Sequence, residues 1–203
     1  FNPALVGRCF LAIAYPKAMA SGYVIPKAAA LGRLTDYVTA DMTDAVTSAT
    51  PLLLAKRMAE EGRQMGWGHI WDAFIGLTPG SAGESSALLL LLGGAFLLLT
   101  RVGNWRVTVS CLGAAGVFSA ILHAANAQRF APALFHLFAG GMLLGAFFMA
   151  TDPVTSPITN PGKYVFGAMI GVLTILIRNF TGYQEGMMFA ILLMNVFAPL
   201  LDE

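Results

Sequence analysis

The densest run of reactive side chains in this sequence is Asp44-Ala45-Val46-Thr47-Ser48-Ala49-Thr50. On residue type alone it reads as a hydroxyl-rich loop. Thr50 stands directly before Pro51, where a capping hydroxyl accepts from an otherwise unpaired N–H of the first helical turn. A second set of polar groups sits beside apolar runs. Asn2 and Asp152 each precede a proline. An ionisable residue at membrane depth is a functional candidate by default, while Asp152 equally suits the cap of a half-helix. Asp72 and Glu84 offer the carboxylates that a cation crossing a membrane needs, and equally suit capping and interfacial solvation. His123 and His136 stand isolated among apolar neighbours and read as hydrogen-bonded core histidines. Cys9 and Cys111 are far apart, which gives no metal or iron–sulfur spacing; both read as small buried hydrophobes. No metal site and no catalytic acid, base or nucleophile is expected.

The elements that must position these groups are apolar helices. A membrane helix needs roughly 20 mostly apolar residues. Five runs qualify, at 86–100, 107–125, 132–150, 164–177 and 186–201, and tilt or partial spans accommodate the shorter ones. Residues 2–15 form a shorter apolar stretch carrying Arg8, ended by Pro16, of a length that suits a half-helix or the end of a cut-off span. Residues 16–50 are polar with little periodicity and read as a long extramembrane loop. Residues 51–61 read as a short surface or interfacial helix, with Pro51 pre-set for its first turn. Residues 72–83 read as a broken or re-entrant segment, which a membrane tolerates only where protein or a cavity satisfies the backbone. Glu84, Ser85 and Ser86 then cap the next helix. Three prolines between 151 and 162 forbid a continuous helix there. Interrupted segments recur in matching positions of repeat-built transporters, so Asn2-Pro3 and Asp152-Pro153 are a candidate pair. Arg178 and Glu185, between the last two runs, read as a surface or interface ion pair. The expected division is 1–15, the end of a truncated span or a half-helix; 16–85, the extramembrane loop with the broken or re-entrant segment; and 86–203, five transmembrane helices.

Composition agrees. The 203 residues are 57% hydrophobic and 11% charged, against about 25% charged in a soluble domain. A net charge of +1 argues for no nucleic-acid partner. The chain begins with Phe1 and shows no signal-peptide pattern; it reads as a piece with further spans upstream. Arg101, Arg106 and Lys163 fall on one side of the expected spans, which the positive-inside rule makes cytoplasmic. Residues 16–50 then face outward and the C-terminus faces the cytoplasm. Trp67, Trp71 and Trp105 fit interface anchors.

The run at 44–50 also resembles Asp-x-x-(Ser/Thr)-x-Ala-Thr, at whose last threonine a flavin transferase attaches FMN. Asp44, Thr47, Ala49 and Thr50 match it, and Ser48 stands where glycine is usual. The flanking blocks FNPALVGRCFLAIAYP, WDAFIGLTPGSAGESSAL, FFMATDPVTSP and EGMMFAILLMNVFAPLLD resemble the family containing the RnfD protein of the Rnf complex and its NqrB counterpart in the sodium-pumping NADH:quinone reductase. TSATPL and ATDPVTSP lean toward the first, FNPALVGR and EGMMFAIL toward the second.

The resemblance implies an all-α, polytopic integral membrane bundle with broken helices, part of an inverted-repeat architecture like that of urea transporters. It implies covalent FMN in phosphoester linkage to Thr50, with Asp44, Thr47, Ser48 and Ala49 as recognition elements for the transferase. A second, noncovalent flavin, riboflavin, makes Asn2 and Asp152 candidate ligands. Asp72 and Glu84 are candidates for an ion path. The implied function is the flavin-carrying subunit of a redox-driven translocase in the bacterial inner membrane. The favoured complex is Rnf, ferredoxin:NAD oxidoreductase, with the NADH:quinone reductase as the alternative and a non-redox solute channel of similar fold as the second. Expected partners are the other subunits, the flavin transferase and the lipid bilayer. No glycine-rich turn after a strand exists for NAD in this chain.

Overall fold

The computed structural model describes residues 1–15, 25–26, 37–38, 51–61, 66–76, 86–181, 183 and 186–202, except the side chains of 25, 26, 37, 38, 51, 53, 54, 59 and 60. Apart from a two-residue antiparallel ladder, Ile25–Pro26 (β1) with Tyr37–Val38 (β2), the regular structure described is helical.

Helix α1 spans Pro3–Ala14. Pro3 cannot donate and is tolerated in a first turn. Asn2 caps the helix, its Oδ1 accepting from Ala4 N at 3.0 Å and Leu5 N at 3.4 Å. Helix α2 spans Pro51–Glu60. Helix α3 spans Trp67–Ile75 and stops at Gly76, whose φ of 105° is a left-handed cap. Asp72 therefore lies inside a helix rather than opening the expected broken segment; residues 77–83 of that segment lie outside the described residues. Helix α4 spans Ala87–Leu99, with Ser86 Oγ accepting from Leu89 N at 3.5 Å. Helix α5 spans Trp105–Ala125 and is capped by Asn104.

The expected third span, 132–150, is not one helix. It consists of α6 (Ala133–Phe138), α7 (Met142–Leu144) and a wide π turn at Gly145–Met149. The break falls at Gly140, whose φ of 65° costs little without a Cβ. Helix α8 spans Asn160–Phe180, starting four residues before the expected Tyr164. Pro161 lies in its first turn, where its missing N–H costs nothing. Helix α9 spans Met187–Phe197 and is followed by a 3-10 turn at Pro199–Asp202.

At 21 residues each, α5 and α8 are long and apolar enough to cross a membrane; 21 residues at 1.5 Å rise is about 30 Å. They form the core pair and run parallel. Gly167 lies against Val107 and Ser110, and Gly171 against Cys111 and Ala115, so residue numbers rise together along both. Any Cβ at either glycine would meet backbone of α5. Gly167-Ala168-Met169-Ile170-Gly171 is thus a G-x-x-x-G contact, which lets two membrane helices approach by their backbones. Leu5, Phe166, Met187 and Ile191 are buried in the same core.

The bundle has two ends. At the first, the carboxylate of Asp202 accepts from Ile158 N and Thr159 N, both at 2.9 Å, tying the end of the α9 segment to the start of α8. Asn2 joins the same end through Asp152. At the second end, Phe130 packs on Phe180 with ring centroids 6.0 Å apart. Gly186, before α9, lies against Thr174 and Ile177, so α9 is antiparallel to α8.

Candidate functional site

Asp44, Thr47, Ser48, Ala49 and Thr50 lie outside the described residues, as does Glu84. What the structure describes is the anchor C-terminal to them. Leu52, 5% exposed, packs in a cluster with Ile70 of α3 and Phe135 and Ala139 in and after α6. Lys56 Nζ donates to Thr181 O at 2.8 Å and Tyr183 O at 3.4 Å. Residues four apart share a helix face, so one face of α2 carries both attachments. They fix it at the second end of the bundle. Arg101, Arg106 and Lys163 line a cavity at the first end. The length of α8, about 30 Å, separates the two.

Near α2 lies the broken 132–150 segment. A helix that stops inside the protein leaves carbonyls without intrahelical donors. Arg178 supplies them. Its Nη1 donates to His136 O at 2.6 Å and its Nη2 to Ala139 O at 3.1 Å. A cation at a helix C-terminus also complements the dipole. Arg178 is 1% exposed, so the expected surface position is corrected: this guanidinium is interior and fills the break. His123 Nδ1 lies 2.7 Å from Phe130 O, as a hydrogen-bonded histidine should. The His136 ring departs from that expectation: it is buried against Phe135, and neither ring nitrogen has a hydrogen-bond partner among the described residues.

Asn2 and Asp152, 150 residues apart in sequence, do meet. Asn2 Nδ2 donates to Asp152 Oδ2 at 3.3 Å. Asp152 also accepts from Val154 N at 3.1 Å and Thr155 Oγ1 at 3.2 Å. One face of this pair is therefore a structural staple, in which Asn2 caps α1 and Asp152 folds the 152–155 turn. Among the described residues, one N–H of Asn2 and lone pairs of Asp152 have no further partner. Asp72 is half-buried in α3, and its carbonyl accepts from Gly76 N. Among the described residues no three His, Cys, Asp or Glu side chains gather.

Comparison with known proteins now decides the family. The NQR2, RnfD, RnfE family model matches residues 1–203. This chain belongs to that family. Members similar to it include the B subunit of the Na(+)-translocating NADH-quinone reductase of Chromohalobacter salexigens, 42% identical over all of this chain and 46% of that protein. Its counterpart in Pseudomonas aeruginosa is 42% identical over all of this chain and 48% of its own length. The D subunit of the ion-translocating oxidoreductase complex of Halorhodospira halophila is 41% identical over all of this chain and 60% of its own. The chain thus spans about half the length of the curated relatives it matches.

Two features of this family member escaped sequence reasoning. The Gly167/Gly171 contact had a signal, the G-x-x-x-G spacing itself. Arg178 had a weaker one: a single cation in the last turn of an apolar helix, well after a Gly-Gly pair that breaks the preceding segment.

Proposed function

We propose that this chain is the flavin-carrying membrane portion of a subunit in an ion-translocating electron-transport complex, with FMN in phosphoester linkage to Thr50 Oγ1. The observation that carries this reading is the Asp44–Thr50 attachment pattern set within a chain that matches one redox family along its whole length. FMN when bound accepts and donates one or two electrons, linking two-electron carriers to one-electron ones. The chain's own residues hold and place it. Asp44, Thr47, Ser48 and Ala49 present the hydroxyl of Thr50 to a flavin transferase. Leu52 and Lys56 then fix the adjoining helix to the bundle.

The same reading places α2 on the outer side of the inner membrane and Arg101, Arg106 and Lys163 on the cytoplasmic side. Support comes from their positions at opposite ends of α8. Asn2 and Asp152 present their remaining hydrogen-bonding groups to the ring edge of a noncovalent riboflavin, supported by their 3.3 Å contact. Asp72 and Glu84 take part in the path of Na+ or H+, and the helices belong to one part of an inverted-repeat bundle. The partners are the other subunits of the complex.

The favoured complex is Rnf, passing electrons between ferredoxin and NAD. The NADH-quinone form is the second reading, favoured by its several relatives at 42% identity. The neighbouring subunits separate the two: an iron–sulfur-rich partner for the first, a reductase module related to ferredoxin–NADP reductase for the second. The central claim is tested by expressing the full-length protein with its transferase, denaturing it and viewing the gel under ultraviolet light. A fluorescent band is expected, lost in Thr50→Val. A dark wild-type band, or an undiminished Thr50→Val band, overturns the assignment.

A further inference from the structure

At the first end of the bundle, the turn between α4 and α5, the 151–158 loop and the start of α8 enclose a cavity of about 610 Å³. Arg101, Arg106 and Lys163 line it, and among the described residues no carboxylate does. Among the described residues, the acids beside it already accept hydrogen bonds. Asp152 is held by Asn2, Val154 and Thr155. Asp202 feels the charge of Lys163, but its oxygens already accept from Ile158 and Thr159. Arg106 lies 5.2 Å from the Trp105 ring. No ion pair joins any of the three cations to a described residue. Ser156 adds a hydroxyl to the wall. Leu98, Val102, Trp105 and Ile158 supply the apolar part of the lining, with Val102 69% and Ile158 83% exposed.

We propose that this cavity binds the phosphate of an anionic phospholipid of the phosphatidylglycerol type. Three positive charges without a carboxylate among them call for an anion, and two guanidinium forks suit phosphate oxygens. The apolar lining beside them calls for acyl chains, which a free phosphate lacks. Basic pockets between membrane helices on the cytoplasmic side are where anionic headgroups bind. The assignment rests on the sidedness proposed above but not on the flavin at Thr50, which belongs with α2 at the other end of α8.

The test uses the full-length protein in the assembly with which it co-purifies, placed in nanodiscs of equal phosphatidylglycerol and phosphatidylcholine, with retained lipid counted by native mass spectrometry. The wild type retains phosphatidylglycerol preferentially. Arg101→Gln lowers its retention about five-fold, and the Arg101→Gln, Arg106→Gln, Lys163→Gln triple variant lowers it roughly a hundred-fold. Arg101→Lys keeps most of it. Arg101 is exposed, so the single Gln variant folds even if the triple one does not, and an unchanged melting temperature checks this. Equal retention of both lipids by the wild type, or undiminished retention by Arg101→Gln, overturns the proposal. Displacement of bound lipid by millimolar inorganic phosphate also overturns it, in favour of a soluble phosphate.

Discussion

Replacing Arg178 by methionine tests whether a buried guanidinium holds the broken 132–150 segment together. Methionine fills comparable space without a donor. Two carbonyls, His136 O and Ala139 O, now bonded at 2.6 and 3.1 Å, are then left unpaired in a dry interior. Each unsatisfied buried group costs about 1–3 kcal/mol, so Arg178→Met should destabilise by roughly 2–6 kcal/mol. At about 2–4 °C per kcal/mol for a chain of this size, the melting temperature falls by roughly 5–20 °C. Lysine carries the charge but a single ammonium, and reaches one carbonyl better than two; Arg178→Lys should recover about half the loss. The assay is the thermal unfolding of the detergent-solubilised full-length protein, followed by intrinsic fluorescence. If Arg178→Met melts within about 1–2 °C of wild type, below the least expected loss, the carbonyl-capping account is refuted. If Lys restores everything, charge alone suffices and the fork is irrelevant.

Other expectations rest on the same packing. Gly171→Val should destabilise by at least about 1–3 kcal/mol, because its Cβ would meet the Cys111 carbonyl, while Gly113→Ala, with open space around it, should be neutral; paired melting curves decide. The Asp202 carboxyl is held below its ordinary value of 3.8 by the N–H groups of Thr159 and Ile158. Its contribution is present above that value and is lost as pH falls through the lowered folded pKa. The difference in melting temperature between wild type and Asp202→Asn should therefore be full at neutral pH and shrink on acidification below 3.8. A difference that grows on acidification would contradict the tether.

Helix starts were readable where a local signal existed. The apolar run at 2–15 announced α1 as a half-helix, though its Asn2 cap needed the structure, and Pro51 announced α2. The break in the expected third span was not readable, because residues 132–150 are apolar almost throughout and hydropathy is blind to backbone direction. Gly140 looks like any small residue of a membrane helix until its φ is known. Arg178 was misplaced for a related reason: its partners are backbone carbonyls, and no side-chain pattern encodes those. The meeting of Asn2 and Asp152 was legible only as a matched pair of Xaa-Pro steps, and their shared hydrogen bond needed the fold. The 44–50 run, taken alone, passes for a helix cap, and only the flanking blocks set it within a redox family; Leu52 and Lys56, which anchor the adjoining helix, became visible only through contacts with α3, α6 and the 181–183 turn.

Helix α4 has only 13 residues, about 20 Å at 1.5 Å per residue, against a hydrocarbon core of about 30 Å. Where a bilayer meets its exposed Leu89, Leu92 and Phe96 and thins, rather than flanking side chains snorkelling, it matches that length. The membrane voltage then falls across roughly two thirds of the usual distance, and the field rises by about half. The work of carrying a charge fully across stays at about 2.3 kcal/mol per 100 mV, but more of it is felt per ångström. A short helix thus makes any charge moving beside it a steeper sensor of voltage than the same charge beside a full-length span.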